Sequence, residues 1–297
     1  MTSDESSWKP GIAPVAVVMI SLNEAHNMEA VLENLQGWAQ EVFLVDSCSA
    51  DATVDIALKY GVHVVQRPFR GFGDQWNFAL EQLPINAPWT MKLDPDERLS
   101  DSLKQEIIDK VDSGSEESFT VPIRLYFMDK RLPSVLRLVR LWKTGVVRFS
   151  DVQANEHALS ESTPATLEGE IKHMDSPSLD HWVVKQNRYT TAEAISQFEN
   201  KPLAVSPMLF GNALQRRMWL KRNFWKVPGR YVILFCYHFF VLGAWRAGKV
   251  GWIWSHLRTE VYRQWEYKRF EIELTGRLPA KIPAHPGAPD NRVPFYD

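Results

Sequence analysis

A chain of 297 residues, 45% of them apolar, can build one large domain or a domain with an appendage, which excludes a disordered chain. The formal charge of −2 hides a division: residues 1–118 carry 20 acids against 8 bases, net −12, so the remainder carries +10. The acidic front argues against a nucleic-acid surface there, and the basic rear calls for an anionic partner such as phospholipid or a phosphorylated substrate.

Two cysteines, Cys48 and Cys236, have no Cys-x-x-Cys or Cys/His spacing around them. This argues against a disulfide framework or a structural zinc site and fits a reducing cytosol. Residues 1–11 are polar, so no secretion signal is expected. The longest apolar run, 231–245, is interrupted by His238 and falls short of the about 20 residues a bilayer span needs.

In chain order, residues 15–21, 41–46, 62–66 and 89–94 are short β-rich runs separated by helical patterns. Residues 27–38 place Met28, Val31, Leu32, Leu35 and Trp38 at helical spacing, and 51–60 do the same with Val54, Ile56, Ala57 and Tyr60 behind Asp51 as N-cap. A third helix is predicted over 74–83, leading through Pro84 and Pro88 into the fourth strand, and a fourth over 100–111 with Ser100 or Asp101 as its cap. Strands alternating with helices imply a parallel sheet. Residues 118–127, 136–142 and 146–149 read as further strands that make the sheet mixed. A short helix is predicted over 191–199, and longer ones, dense in Trp, Arg and Lys, over 215–226 and 245–273. The stretch after Thr275 is proline-rich and reads as extended.

Three predicted strands end in polar residues: Ser21-Leu22-Asn23-Glu24, Asp46-Ser47-Cys48-Ser49-Ala50-Asp51, and Asp94-Pro95-Asp96-Glu97. Alone, the last run reads first as an ordinary turn feeding a helix N-terminus, with Glu97 as the capping acid. Three polar ends at one rim of a parallel sheet instead resemble a nucleotide pocket, because open α/β sheets bind ligands at the carboxyl ends of their strands. Two hard oxygen ligands one residue apart suit Mg²⁺ or Mn²⁺, and such an ion suits a diphosphate. No Gly-x-Gly-x-x-Gly follows the first strand and no Gly-Lys-Ser/Thr loop is present, so dinucleotide and P-loop readings lose their support.

Together with the segment Gly71-Phe72-Gly73-x-x-x-Asn77, these three strand ends resemble family 2 glycosyltransferases of the GT-A fold, closest to bacterial lipopolysaccharide-core and exopolysaccharide glucosyltransferases. The resemblance is strong over residues 15–99. It implies an α/β, Rossmann-like mixed sheet with a helical, basic and aromatic C-terminal extension. The expected organisation is a catalytic domain over 12–190 (donor half 12–100, acceptor half 101–190), a helical region over 191–275 and an extended tail over 276–297.

It also implies roles. Asn23, Glu24 and Asp46 would hold the base and ribose of a nucleotide sugar, in a pocket shaped by Ser21, Ser47, Ser49 and Asp51. Arg70, Gln75, Asn77 and Lys92 join them on the donor side. Asp94 would serve ribose and ion together, and Asp96 would bind the Mg²⁺ or Mn²⁺ that bridges the diphosphate. Glu156 is the candidate base, with Asp151 and His157 as rivals. Lys185 and Arg188, after His173-Met174-Asp175, could bring positive charge to the diphosphate, and His173 is a candidate additional metal ligand.

Arg216, Arg217, Lys221, Arg222, Lys226 and Arg230 are interleaved with Met218, Trp219, Leu220, Phe224 and Trp225. This pattern suits a surface lying in a membrane interface, with a helical cap on the catalytic domain as the alternative. The expectation is a cytoplasmic enzyme, peripheral on the cytoplasmic face of the inner membrane. It would be metal-dependent and inverting, and would pass a hexose from a nucleotide diphosphate sugar (a UDP-sugar foremost) to a polyprenyl-diphosphate or other lipid-linked glycan, with no nucleic-acid partner. Two rivals stay open: a protein or peptide glycosyltransferase, and a non-catalytic nucleotide-sugar-binding scaffold.

Overall fold

The computed structural model describes residues 7–149, 158–159, 162–199, 205–211 and 213–279. The first half alternates as the periodicity requires: β1 (Ala13–Ser21), α1 (Ala25–Leu35), β2 (Ala39–Asp46), α2 (Thr53–Lys59), β3 (His63–Gln66), α3 (Phe72–Gln82) and β4 (Trp89–Lys92). Then come β5 (Glu97–Leu99), α4 (Asp101–Ser113), β6 (Ser118–Phe127) and β7 (Lys130–Lys143). Short strands β8 (Arg148–Phe149), β9 (Ala158–Leu159), β10 (Ala165–Thr166) and β11 (Ile171–His173) precede the helices α5 (Leu179–Phe198), α6 (Ala213–Asn223), α7 (Arg230–Cys236) and α8 (Gly248–Thr275).

One large sheet runs β3-β2-β1-β4-β7-β6-β11-β5, with β10 beside β6, while β8 and β9 form a separate pair. Strands β3, β2, β1 and β4 are parallel, and β7 joins β4 and β6 antiparallel. The mixed α/β sheet expected from the sequence is therefore present, with β1 an interior strand between β2 and β4. Val15, Val17 and Met19 of β1 pack on one side with Met28, Val31, Leu32 and Leu35 of α1 and Leu103 and Ile107 of α4. Ala16, Val18 and Ile20 pack on the other with Trp76 and Ala79 of α3. Burial on both faces is why β1 reads as an unbroken apolar run rather than an alternating one.

Several local expectations change. Glu97 opens β5 instead of capping a helix; α4 starts at Asp101, where the Ser100 hydroxyl accepts the Leu103 N–H at 3.3 Å. Asp51 accepts the Thr53 N–H at 3.0 Å, so it does the capping work for α2 from one residue outside the cap position. The strand expected at 136–142 starts at Lys130, because Met128 and Asp129, both at positive φ (48° and 57°), close a tight hairpin with β6. The helix expected at 191–199 is the second half of α5, which begins twelve residues earlier where Ser178 accepts the His181 N–H.

In the C-terminal region α8 packs on α5, and Trp265 and Ile272 join Ala194 and Ile195 in a small core. Lys268 reaches across from α8, its ammonium donating to the carbonyl and side-chain oxygens of Asn187 and to the Thr190 and Thr191 hydroxyls at 2.6–2.8 Å. The inner face of α8 is thus a cap on α5. Residues 280–297, most of the expected tail, lie outside the described residues.

Candidate active site

The carboxyl ends of β2, β1 and β4 lie side by side, as the three polar strand ends required. Asp46 is fully buried and organises this rim. One of its carboxylate oxygens accepts the Ser21 hydroxyl at 2.9 Å and the Ser49 hydroxyl; the other accepts the Ser49 N–H at 2.7 Å and the Gln66 amide at 2.9 Å. Asn23 turns left-handed (φ 57°), donates its N–H to the Ser49 hydroxyl and accepts the Ala50 N–H through its side chain. Asp51 accepts the Ala25 N–H, and Thr53 accepts the Glu24 N–H. The loops after β1 and β2 are thereby laced together into one edge of a pocket. Gln75 donates to the Ser47 hydroxyl at 3.2 Å, tying α3 to the same loop. Asn77 instead exchanges two hydrogen bonds with the backbone of Phe149, fastening α3 to β8.

Between β4 and β5 the chain makes a tight turn, the Glu97 N–H donating to the Asp94 carbonyl at 2.9 Å. The Glu97 carboxylate, 1% exposed, accepts the Asp94 N–H at 2.9 Å and the Arg140 guanidinium at 2.8 Å. Arg140 also reaches Asp94 at 3.2 Å. Burial alone would push the Asp94 carboxyl up, but Arg140 and Lys92 outweigh it and hold it below the usual carboxylate range. Arg98 donates to the carbonyls of Pro95 and Glu97 and, from its other nitrogen, to that of Asn27, fixing the turn against α1. Lys92 lies under this turn with its ammonium 4.4 Å from the Trp76 ring and 5.2 Å from the Phe149 ring.

Pairing of β11 with β5 sets His173 opposite Glu97 and brings it to Asp96. Ligand atoms of Asp96, His173 and Asp175 all lie within 4.8 Å of one another. His173 Nε2 stands 3.2 Å from Asp96 and 4.0 Å from Asp175. Lys185, from the second turn of α5, bridges the two carboxylates at 3.2 and 3.1 Å. Burial pulls the His173 imidazole down, yet Asp96 outweighs it and lifts the ring to about 9. The same competition, won by His173 and Lys185, holds Asp96 far below the carboxylate range. Glu24 faces this cluster, and burial followed by the Asp96 charge pushes its carboxyl up to about 7.

Two carboxylate oxygens and an imidazole nitrogen are a donor set that fits Mn²⁺ or Mg²⁺, and the ammonium between them marks a place where positive charge is already favoured. Asp94 is not in this cluster; its carboxylate goes to Arg140. His173, expected as an additional ligand, is in it. Arg70 is exposed on the loop before α3, and Arg188 lies half-buried on α5. Glu156, Asp151 and His157 fall outside the described residues.

Three contributors had no assigned role in the sequence reading: Asp175, Arg140 and Arg98. Asp175 carried a signal, since His-x-Asp at the end of a strand puts both side chains on one side. For Arg140 the signal is an arginine inside the apolar run Leu138-Val139-Arg140-Leu141-Trp142, where a buried charge needs a buried partner.

Residues 16–157 match the family model for glycosyl transferase family 2. Among curated proteins, the chain is 28% identical over 255 residues to the lipopolysaccharide core biosynthesis glycosyltransferase LpsC of Rhizobium meliloti, covering 81% of this chain and 86% of that protein. It is 38% identical over 196 residues to the uncharacterized glycosyltransferase RC0292 of Rickettsia conorii, covering 61% of this chain and 69% of that one. Among solved structures it is similar to residues 1–349 of S. aureus TarS in complex with UDP-GlcNAc, at 18% identity and a TM-score of 0.39, over 84% of this chain and 91% of that one. With the strand-end motifs in their expected order on the sheet, the family match and the Rickettsia conorii relative, the chain is a glycosyltransferase belonging to family 2.

Proposed function

We propose that this glycosyltransferase is metal-dependent and inverting, and passes a hexose from a nucleotide diphosphate sugar, a UDP-sugar foremost, to a lipid-linked cell-surface glycan on the cytoplasmic face of the inner membrane. The observation that carries the donor half is the Asp96-His173-Asp175 cluster standing beside the laced loops of Asn23, Ser49 and Asp51 at one sheet rim. Asp96, His173 and Asp175 would hold Mg²⁺ or Mn²⁺, which when bound offsets the charge that develops on a departing nucleoside diphosphate.

The chain's own residues then have separate tasks. Asp46, which accepts four hydrogen bonds from within the chain, holds the two loops together, and Asn23 and Glu24 contact the base and ribose from those loops. Arg140 and Glu97 fix Asp94 and the turn that carries Asp96. Lys185 and Arg188 add positive charge on the diphosphate side. Glu156 takes the proton from the acceptor hydroxyl, with Asp151 and His157 the next candidates. The name of the Rhizobium meliloti relative, lipopolysaccharide core biosynthesis, supports a membrane-bound glycan as acceptor, as does the basic, aromatic C-terminal region.

Sugar-nucleotide turnover with Mn²⁺, compared between the parent chain and Asp96→Ala, tests the donor half. Loss of turnover in the variant with the fold intact is expected; equal rates would remove the metal from the reading. Glu156→Gln should abolish transfer while nucleotide binding is retained, and retained transfer would move the base to Asp151 or His157.

A further inference from the structure

The run Tyr231 to Leu242 contains no charged residue and is apolar on every side, a pattern that in a water-soluble fold belongs to a buried helix. Of its residues only His238 is buried. Phe235 and Phe239 stack on each other and pack against Trp252, and His238 meets Trp254, so one face is held by α8. On the opposite face Val232, Ile233, Phe240 and Val241 are 68, 56, 62 and 72% exposed, at spacings of one, seven and one residues along a helical path. No element among the described residues covers this stripe.

The path ends in an elbow. No single helix is long and apolar enough to cross a membrane; Arg230–Val241 and Ala244–Thr275 reach that length and apolarity only as a pair, and the pair is bent by 67°. Gly243 stands at the break in the left-handed region (φ 76°), a conformation that glycine adopts without strain. Twelve helical residues reach about 18 Å, short of a hydrocarbon core of about 30 Å. Such a segment can lie in a bilayer surface but cannot span it.

Charge selects the occupant. Residues 201–259 contain ten Lys or Arg and no Asp or Glu, which concentrates in one segment a charge equal to the whole basic excess of the chain beyond residue 118. Lys226, Arg246 and Lys249, flanking the stripe in sequence, are exposed, and Trp245 beside Arg246 is half exposed. A second copy of the chain on the same face would bring an equally basic segment against this one, because a two-fold contact repeats the same patch on both subunits. A surface of anionic phospholipid satisfies both features, taking the stripe among its acyl chains and the cations on its phosphates.

We propose that the outer face of α7 and the turn after it is an in-plane membrane wedge, with Val232, Ile233, Phe240 and Val241 below the headgroups and Lys226, Arg246 and Lys249 at the phosphate level. This rests on the membrane-acceptor reading above and specifies the part of the chain that meets the lipid.

The test uses the full chain with vesicles of phosphatidylcholine, with and without added phosphatidylglycerol, whose headgroup is anionic. In a Cys48→Ser/Cys236→Ser background, an environment-sensitive fluorophore on Val241→Cys should shift to the blue on anionic vesicles, and one on Leu58→Cys, exposed on α2, should not. The triple variant Val232→Ser/Phe240→Ser/Val241→Ser should lose at least about tenfold in vesicle partitioning while melting and nucleotide binding stay unchanged. Sedimentation of the parent chain with vesicles but no shift at position 241 overturns the wedge and leaves the membrane reading standing. Failure to sediment on anionic vesicles overturns both. A dimer in free solution that the triple variant dissociates overturns the wedge in favour of self-association.

Discussion

Replacing Arg140 by Met tests how the carboxylate turn is held. The side chain of Arg140 is 5% exposed and that of Glu97 is 1% exposed, with 2.8 Å between their charged atoms, whereas Asp94, the second partner, is 36% exposed. Methionine fills similar volume, so the cost is electrostatic: Glu97, whose carboxyl burial pushes up to about 7 even beside Arg140, is left at pH 8 without the cation that favours its charged form. Removing one partner of a buried pair costs about 3–5 kcal/mol, and the contact with the partly exposed Asp94 adds little. At about 2 °C per kcal/mol for a domain of this size, the melting temperature should fall by roughly 6–10 °C. Urea unfolding followed by tryptophan fluorescence at pH 8 measures the loss directly. The double variant Arg140→Met/Glu97→Gln should recover at least about 2 kcal/mol, because no buried charge then remains. A single variant within about 1 kcal/mol of the parent, or strictly additive losses in the double variant, would refute the buried-pair account.

Three further outcomes follow from the same geometry. Lys185→Met removes the cation that bridges Asp96 and Asp175, so calorimetric titration should show Mn²⁺ binding at least about tenfold more tightly, one charge-assisted bond being worth about 1.5–3 kcal/mol; unchanged or weaker binding would refute the competition. Glu24 holds its proton up to about pH 7 in the folded chain against 4.5 otherwise, so its contribution to stability is complete below 4.5 and is lost as pH rises through 7. Glu24→Gln should therefore melt higher than the parent at pH 8 and nearly the same at pH 4.5, and a gap of the opposite sign at pH 8 would exclude the crowding of Glu24 by Asp96. Ser100→Ala deletes the side-chain cap of α4 and should cost about 1 kcal/mol in urea unfolding, with no effect on nucleotide binding.

The parallel half of the sheet was legible because its signals are local. The apolar runs of β1, β2 and β4 are buried on both faces, and α1 and α2 repeat apolar residues every three or four positions, so each element can be read without its neighbours. The short strands β5, β10 and β11 were not legible. Two or three residues carry no periodicity, and these strands exist only because β6 offers an edge to β10 and β11, and β11 in turn offers one to β5. The start of α5 was missed for a different reason: Val183, Val184 and Tyr189 are exposed while Trp182 is buried, so the first half of the helix lacks a clean apolar stripe.

By itself the sequence determined the family, the order of the strands along the chain and the three polar strand ends, since order and spacing of residues are properties of the chain alone. Tertiary structure decided how those ends are used. Only the register of β11 against β5 sets His173 and Asp175 beside Asp96, and only the return of β7 next to β4 delivers Arg140 to Asp94 and Glu97. It also divided the carboxylates of one tetrapeptide between two fates. Asp96 joins a cation cluster and Glu97 a buried ion pair, because adjacent residues at a turn point in different directions and meet partners more than forty positions away. Contacts at that separation leave no mark in local pattern, and the chemistry of this rim is made of them.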